Sequence, residues 1–86
     1  MMQFEDTELE ELPLDGDLVV PRIRMTTYGL PDIEIMLGDR QYEYQRSYPI
    51  KGHMATLPKA VREGLAAGKT PLVIERSERF YLYFQK

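Results

Sequence analysis

The chain has 86 residues, of which 43% are hydrophobic and 29% are charged, and it contains no cysteine. This length holds one small domain, and the composition excludes a disulfide-stapled secreted fold and a cysteine-based zinc module. No apolar run approaches about 18 residues, the length of a membrane span, and the start lacks the basic and apolar stretches of a secretory signal. We therefore expect a cytoplasmic protein without a membrane partner.

Charge divides the chain into two parts. Residues 1–50 carry 11 acidic and 4 basic residues, residues 51–86 carry 3 acidic and 7 basic residues, and the formal net charge is −3. The first seventeen residues contain no Lys or Arg, which is typical of a mobile or docking segment. We predict an acidic, flexible N-terminal segment at residues 1–17 and a single small domain at residues 18–86. The alternative is that the segment docks on a basic surface.

The first predicted strand follows this segment, from Leu18 to Met25. Its alternation places Val19, Ile23 and Met25 on one face and two arginines on the other. Pro21 has no N–H to donate to a neighbouring strand, so we expect this strand at the edge of a sheet.

A hairpin is predicted next, between Ile33–Leu37 and Arg40–Tyr44. Gly38-Asp39 is a two-residue pair suited to a type II′ turn. The register that this turn sets groups the aliphatic and aromatic residues on one face, in the pairs Leu37–Arg40, Ile35–Tyr42 and Ile33–Tyr44.

The other face of this hairpin sets Glu34 opposite Glu43. A like-charge pair of this kind costs up to about 1 kcal/mol unless water, a cation or a nearby arginine screens it. Two carboxylates beside Gln41 do not make a metal motif, so we interpret this face as solvated.

The one helix that the pattern predicts runs from Leu57 to Ala67. Leu57, Val61 and Leu65 recur at helical spacing and form an apolar stripe, Pro58 lies in the first turn, and Gly68 suits the position after the last turn. A helix of about three turns is not stable alone in water, so it must pack on the sheet. Close approach is allowed by a row of small residues, Ala60, Gly64 and Ala67.

A second hairpin is predicted from Leu72–Glu75 and Arg79–Phe84. A three-residue loop pairs Ile74 with Phe80 and Glu75 with Arg79, and it is favoured because Ser77-Glu78 would be a poor two-residue turn. The outward residues Val73, Tyr81 and Tyr83 make the hairpin apolar on both sides, so we expect a central or covered element.

These three outward residues form the candidate interaction face. The helix, the N-terminal segment and a second copy of the chain are the candidates to cover it, and we expect a homodimer through this face. The predicted fold class is α+β: a small antiparallel sheet of two hairpins plus an edge strand, with one short helix packed on it.

No catalytic, cofactor or metal site is predicted. The stretch from Gly64 to Thr70 approaches the phosphate-binding P-loop pattern, but its first glycine is one residue too close and it leads from helix to strand. His53 is the sole histidine, and no cysteine is present as a nucleophile. The tyrosines, which lie near several arginines in sequence, are assigned to the core and rim.

A resemblance is carried by Lys51-Gly52, Leu57-Pro58-Lys59, Val61-Arg62-Glu63, Leu65, Gly68 and the second hairpin as far as Leu82. With this order of turn, helix and hairpin, residues from Lys51 to Leu82 resemble the swapped-hairpin domain of AbrB and MazE type regulators and antitoxins. The resemblance implies an intertwined dimer that binds DNA. The DNA contacts in this interpretation are Lys51, His53 and Lys59.

We therefore expect a small non-catalytic interaction or regulatory module that is homodimeric; the sequence does not identify its partner, and a protein partner is one candidate. An AbrB/MazE-like DNA-binding regulator or antitoxin is the alternative, with DNA as the partner. A small enzyme that uses His53 with the carboxylates of Glu34 and Glu43 is the second alternative.

Overall fold

The structure, a computed structural model, describes residues 1–26 and 30–86, except the side chains of residues 53–55. In this part of the chain there are seven strands, one α-helix and a short 3-10 turn at Asp6–Glu8. The helix is α1, His53–Ala66, and the strands are β1 Met2–Phe4, β2 Glu10–Asp15, β3 Leu18–Arg24, β4 Glu34–Leu37, β5 Arg40–Pro49, β6 Pro71–Arg76 and β7 Arg79–Gln85.

The seven strands belong to one sheet, in the order β1-β4-β5-β7-β6-β3-β2. The predicted α+β class, with one sheet and one helix, is confirmed. The prediction of an antiparallel sheet built from two hairpins and an edge strand is wrong, because β1 pairs with β4 and β3 pairs with β6 in parallel, and β2 forms a further hairpin with β3. Parallel neighbours are far apart along the chain, so local patterns do not reveal them.

β3 lies between β6 and β2 and is not the predicted edge strand. Pro21 stands opposite Glu11 of β2, and the parallel pairing with β6 begins only at Arg22, so the missing N–H falls at the end of that ladder. Val19 was expected on the same face as Ile23 and Met25, which are buried, but it is 46% exposed, whereas its neighbour Val20 is buried in the helix-side core.

The acidic N-terminal segment supplies both outer strands of the sheet, so residues 1–17 and 18–86 share one sheet. Its carboxylates pair with arginines of other elements. Glu10 Oε1 lies 3.1 Å from Arg24 Nε, and Asp15 Oδ2 lies 3.4 Å from Arg62 Nη2. A further ion pair joins Asp6 to Arg40. The acidic composition of this segment therefore matches basic side chains on the sheet and the helix.

The sheet is curled, because only residues 5–9 connect its two outer strands. A flat sheet of seven strands would hold those strands about 29 Å apart at about 4.8 Å per strand. An extended chain from Phe4 to Glu10 spans at most about 21 Å, so β1 must approach the β2 side of the sheet. A cleft lined by β1 and by residues 24–26 at the end of β3 lies where the two sides approach each other.

Each face of the curled sheet carries an apolar core. The helix-side core, covered by α1, contains Leu12, Leu14, Leu18, Val20, Tyr48, Leu57, Val61, Val73, Phe80, Leu82 and Phe84. The inner core, on the opposite face, contains Ile23, Met25, Ile35, Leu37, Tyr42, Leu72, Ile74, Tyr81 and Tyr83. Met2, Phe4 and Leu9 pack against the inner core, so the N-terminal segment helps to cover it.

The first hairpin forms with the predicted register. Leu37 pairs with Arg40 and Ile35 pairs with Tyr42, and Gly38 takes a φ of 61°, as the first position of a type II′ turn requires. One residue differs from the prediction: Ile33, expected on the core face, is 69% exposed. Strand β4 begins only at the next residue, so Ile33 lies beyond the covered part of the sheet.

The second hairpin has a two-residue turn, so the predicted three-residue loop is wrong. Arg76 pairs with Arg79 and Glu75 pairs with Phe80, and Ser77 adopts a φ of 54°. Alternation could not distinguish the two registers, because both faces of this hairpin are buried and either register buries apolar residues. The prediction of a central, covered hairpin is confirmed, since β6 and β7 lie in the middle of the sheet.

Helix α1 begins one turn earlier than predicted. Gly52, with a φ of 89°, precedes it, so Pro58 lies inside the helix rather than in its first turn. Leu57 and Val61 are buried as expected, but Leu65 is 46% exposed. Of the helices in the described residues, none is long and apolar enough to cross a membrane.

Candidate binding groove

The predicted interaction face is buried within one chain. Val73 and Tyr83 are fully buried and Tyr81 is 8% exposed. They also lie on two faces, because Val73 belongs to the helix-side core and the two tyrosines belong to the inner core. The chain covers these side chains itself, so this face offers no argument for a dimer, and self-association stays a prediction.

The predicted nucleic-acid contacts are partly on the surface. Lys51 and Lys59 are exposed, and Lys51 lies just before α1 while Lys59 lies in its middle. His53 begins α1, and its side chain is outside the described part of the structure. Residues 51–82 include α1, β6 and the first part of β7, and β7 pairs with β5 of the same chain.

Glu34 and Glu43 do lie opposite each other, and Lys86 is the cation that screens them. Its Nζ lies 3.1 Å from Glu34 Oε2 and 3.8 Å from Glu43 Oε2. The hydrogen bond to Glu34 raises the pKa of Lys86. Gln41 also donates a hydrogen bond to Glu34. These carboxylates therefore have protein partners, and the described residues contain no group of three or more histidines, cysteines and acids that could hold a metal.

A groove lies between α1 and β5 on the helix-side face, and we call it the α1–β5 groove. It consists of two adjoining clefts of about 300 and about 280 Å³ that share Arg46, Tyr48, Ala60 and Glu63. Thr56 and Lys59 complete one cleft, and the other is completed by Gln45, Gly64, Ala67, Lys69 and Phe84.

The groove exists because the helix presents small residues toward β5. Leu57 and Val61 anchor α1 on the sheet, Ala60 leaves space on the flank beside β5, and Gly64 accommodates the ring of Phe84. Tyr48 belongs to the helix-side core, and the two-residue period of a strand places Arg46 on the same face.

Positive charge is in excess in the groove, which holds Arg46, Lys59 and Lys69 against Glu63. Among the described residues, ion pairs form at four other arginines and at Lys86, but at none of these three cations. Lys69 Nζ lies 5.6 Å from the centroid of the Phe84 ring, a cation–π contact at the groove wall. A negatively charged group in either cleft would meet Arg46 and one lysine, Lys59 or Lys69, which form no ion pair within the described part of the chain.

Two aromatic rings line the groove but expose little surface. Tyr48 is 7% exposed and Phe84 is 9% exposed. Burial raises the pKa of Tyr48, and the opposing effect of Arg46 is smaller, so its hydroxyl stays protonated at neutral pH. These rings provide apolar contact and one polar hydroxyl rather than open faces.

Arg46 and Lys69 were missed as site residues. In the sequence, Lys69 belongs to the P-loop-like stretch, and Arg46 is one of several arginines near tyrosines. The row of small residues beside Lys59 was the available signal, since it predicted close approach along one flank of the helix. Strand register was needed to place Arg46 beside that flank.

Comparison with known proteins gives no relative: no family model matches the chain, and no curated protein sequence and no solved structure matches it.

Proposed function

We propose that this chain is a small non-catalytic binding module that holds an acidic partner in the α1–β5 groove. The convergence of Arg46, Lys59 and Lys69 on one groove carries this proposal. Each is an exposed cation on a different element, so folding, rather than a basic run in the sequence, collects them.

The charge balance of the rest of the molecule supports this assignment. Three acids of the N-terminal segment pair with arginines outside the groove: Asp6 with Arg40, Glu10 with Arg24 and Asp15 with Arg62. Carboxylates of a partner would therefore compete with water and salt rather than with an internal ion pair. Such contacts act mainly on association rate and specificity, and salt weakens them.

A titration by two-dimensional NMR tests the proposal, with poly-L-glutamate as the probe. We expect chemical-shift changes that concentrate on Arg46, Lys59 and Lys69, and that shrink when salt rises from about 50 to about 200 mM. Absence of any shift at the lower salt concentration would overturn the proposal.

Lysine substitutions supply a matched control. Lys59→Glu and Lys51→Glu change the net charge equally, and both lysines are exposed, but only Lys59 lines the groove. We expect Lys59→Glu to weaken binding of poly-L-glutamate severalfold and Lys51→Glu to change it little. Equal loss in the two variants would show an effect of net charge alone.

DNA binding is the second candidate, and the exposure of both Lys51 and Lys59 favours it. In that case a mixed-sequence duplex binds with a salt slope set by the number of phosphate contacts, and both lysine substitutions reduce affinity. Binding of the duplex without a salt slope, or no binding at low salt, contradicts phosphate contacts by these lysines.

A further inference from the structure

Strand β5 is ten residues long, but β4 covers only its first part. Pairing with β4 extends to Glu43, and one further backbone hydrogen bond of 2.7 Å runs from Tyr44 N–H to the Ile33 carbonyl. From Arg46 to Pro49, β5 pairs with β7 on one side. No strand in the described part of the chain lies on its other side, so we call residues 45–49 the open half of β5.

The open half of β5 borders the α1–β5 groove. Gln45, Arg46 and Tyr48 belong to both. The register between β5 and β7 shifts between Tyr44 and Arg46, which marks an irregularity of the β-bulge type where the open half begins. Bulges are frequent at sheet edges and beside binding sites, where they redirect a strand.

We propose that the acidic partner is an extended peptide that pairs with the open half of β5 as an additional strand. This inference rests on the proposed function and names its partner class. Main-chain hydrogen bonds to the open half would provide affinity, and alternate side chains of the peptide would enter the groove. Since successive side chains of a strand point to opposite faces, every second residue of the peptide would meet the groove cations Arg46 and Lys59.

The other face of the added strand favours apolar residues. The added strand would continue the line of β4 beyond Ile33, which is 69% exposed, and Leu30 before it is 70% exposed. By alternation Ile33 lies on the inner face with Ile35, so an added residue that points inward would pack beside an uncovered aliphatic side chain. The partner motif is therefore an alternation of acidic and apolar residues.

The groove suits a peptide better than a nucleic acid. Single strands bind on exposed aromatic faces, but Tyr48 and Phe84 are less than one-tenth exposed. Glu63 lines both clefts and can accept a hydrogen bond from a peptide N–H, a donor that a sugar-phosphate backbone lacks. Alternating main-chain donors and acceptors are also the natural partners of an unpaired strand edge.

Fluorescence anisotropy with a labelled Glu-Val repeat peptide of about six residues, the usual strand length, tests the inference. The decisive comparison is the same peptide with N-methyl groups on alternate backbone amides, placed in both possible registers. N-methylation removes donors and blocks pairing but keeps every charge. We expect N-methylation to raise Kd about tenfold or more, and Lys59→Glu to weaken the unmodified peptide while Lys51→Glu leaves it nearly unchanged.

Failure of the strand-pairing inference can be distinguished from failure of the groove itself. Equal affinity of the N-methylated and unmodified peptides, with both sensitive to Lys59→Glu, overturns strand pairing and leaves the groove as an acidic-partner site. Absence of binding by both peptides and by poly-L-glutamate overturns the groove as well. Tighter binding of duplex DNA than of the peptide, through the same lysine, overturns the choice of a peptide.

Protection of backbone amides is a second readout. In the peptide complex we expect slower hydrogen exchange at outward-facing amides of residues 45–48, since Pro49 has no N–H. Exchange there that does not change on saturation with the peptide contradicts the added strand, even where affinity is high.

Discussion

Helix α1 approaches the sheet so closely at Gly64 that a single methyl group should disturb the fold. An alanine Cβ at this position would lie 3.2 Å from Cδ1 of Phe84 and nearer still to Cε1 and Cζ of the same ring. The backbone of Gly64 is not in the left-handed region, so Gly64→Ala meets a purely steric obstacle.

Two opposing effects decide the free energy of unfolding of this variant. Helix propensity alone favours alanine over glycine by about 1 kcal/mol in a helix interior. Displacing a packed ring costs about 1–3 kcal/mol, and Phe84 is only 9% exposed, so the ring has little room to move. We therefore expect the free energy of unfolding of Gly64→Ala to be about 1 kcal/mol lower than that of the wild type, which lowers Tm by about 4–8 °C in a domain of this size.

Urea denaturation followed by circular dichroism measures this change, and the exposed residue Lys59 provides the control. The difference between Lys59→Ala and Lys59→Gly gives the propensity difference in the same helix without a steric contact. In the background of Phe84→Leu, the cost of Gly64→Ala should fall, because the shorter side chain vacates the space. A Gly64→Ala protein that is more stable than the wild type would refute the packing of Gly64 on Phe84.

Three further predictions concern stability. Tyr83 Oη donates a 2.5 Å hydrogen bond to the Asp32 carbonyl, so Tyr83→Phe should cost about 1–2 kcal/mol in urea denaturation. Burial raises the pKa of Tyr83 above its ordinary value of 10.0. The protonated hydroxyl therefore stabilises the fold fully below pH 10, and this stabilisation is lost as pH rises from 10 through the raised pKa. In Tyr83→Phe the free energy of unfolding should fall less steeply above pH 10. Ser77→Gly should raise the free energy of unfolding by about 0.5 kcal/mol. A left-handed conformation costs an L-residue about 1–2 kcal/mol, and the larger chain entropy of glycine in the unfolded state offsets part of the gain from removing this strain. Lys86→Ala should lower Tm, most at low salt, and Glu43→Gln in that background should restore part of the loss.

Each of these predictions has a result that contradicts it. An unchanged alkaline profile after Tyr83→Phe would show that another group causes the loss above pH 10. A loss of stability in Ser77→Gly comparable with that in Glu78→Gly, whose backbone is not left-handed, would contradict the assigned turn. A Tm of Lys86→Ala that is independent of salt would exclude the screening role.

The elements that the sequence predicts correctly are those with local signals. Gly38-Asp39 selects a turn type and therefore a register, and the spacing of Leu57 and Val61 identifies the buried side of the helix. The register of the second hairpin is not encoded in the same way, because Ile74 and Val73 on opposite faces are both fully buried. A strand that is buried on both faces shows no alternation of polar and apolar residues from which a register could be predicted.

The α1–β5 groove could not be predicted from the sequence because its parts are remote in the chain. Arg46 comes from a strand, Lys59 from the helix and Lys69 from the segment after it, and none lies in a basic run. The packing of the acidic N-terminal segment could not be predicted for a related reason: its apolar residues Phe4 and Leu9 pack against inner-core side chains that are remote in the chain.

The position of the C-terminal hairpin in the strand order has a consequence for synthesis of the chain. β7 joins β5 and β6 joins β3, so a nascent chain that lacks residues 71–85 holds only two separate strand groups, β1-β4-β5 and β2-β3. Neither group can form the inner core, because four of its nine buried side chains belong to the missing hairpin. Contacts between such distant residues form slowly, so the sheet can be completed only after residues 71–85 have been synthesised.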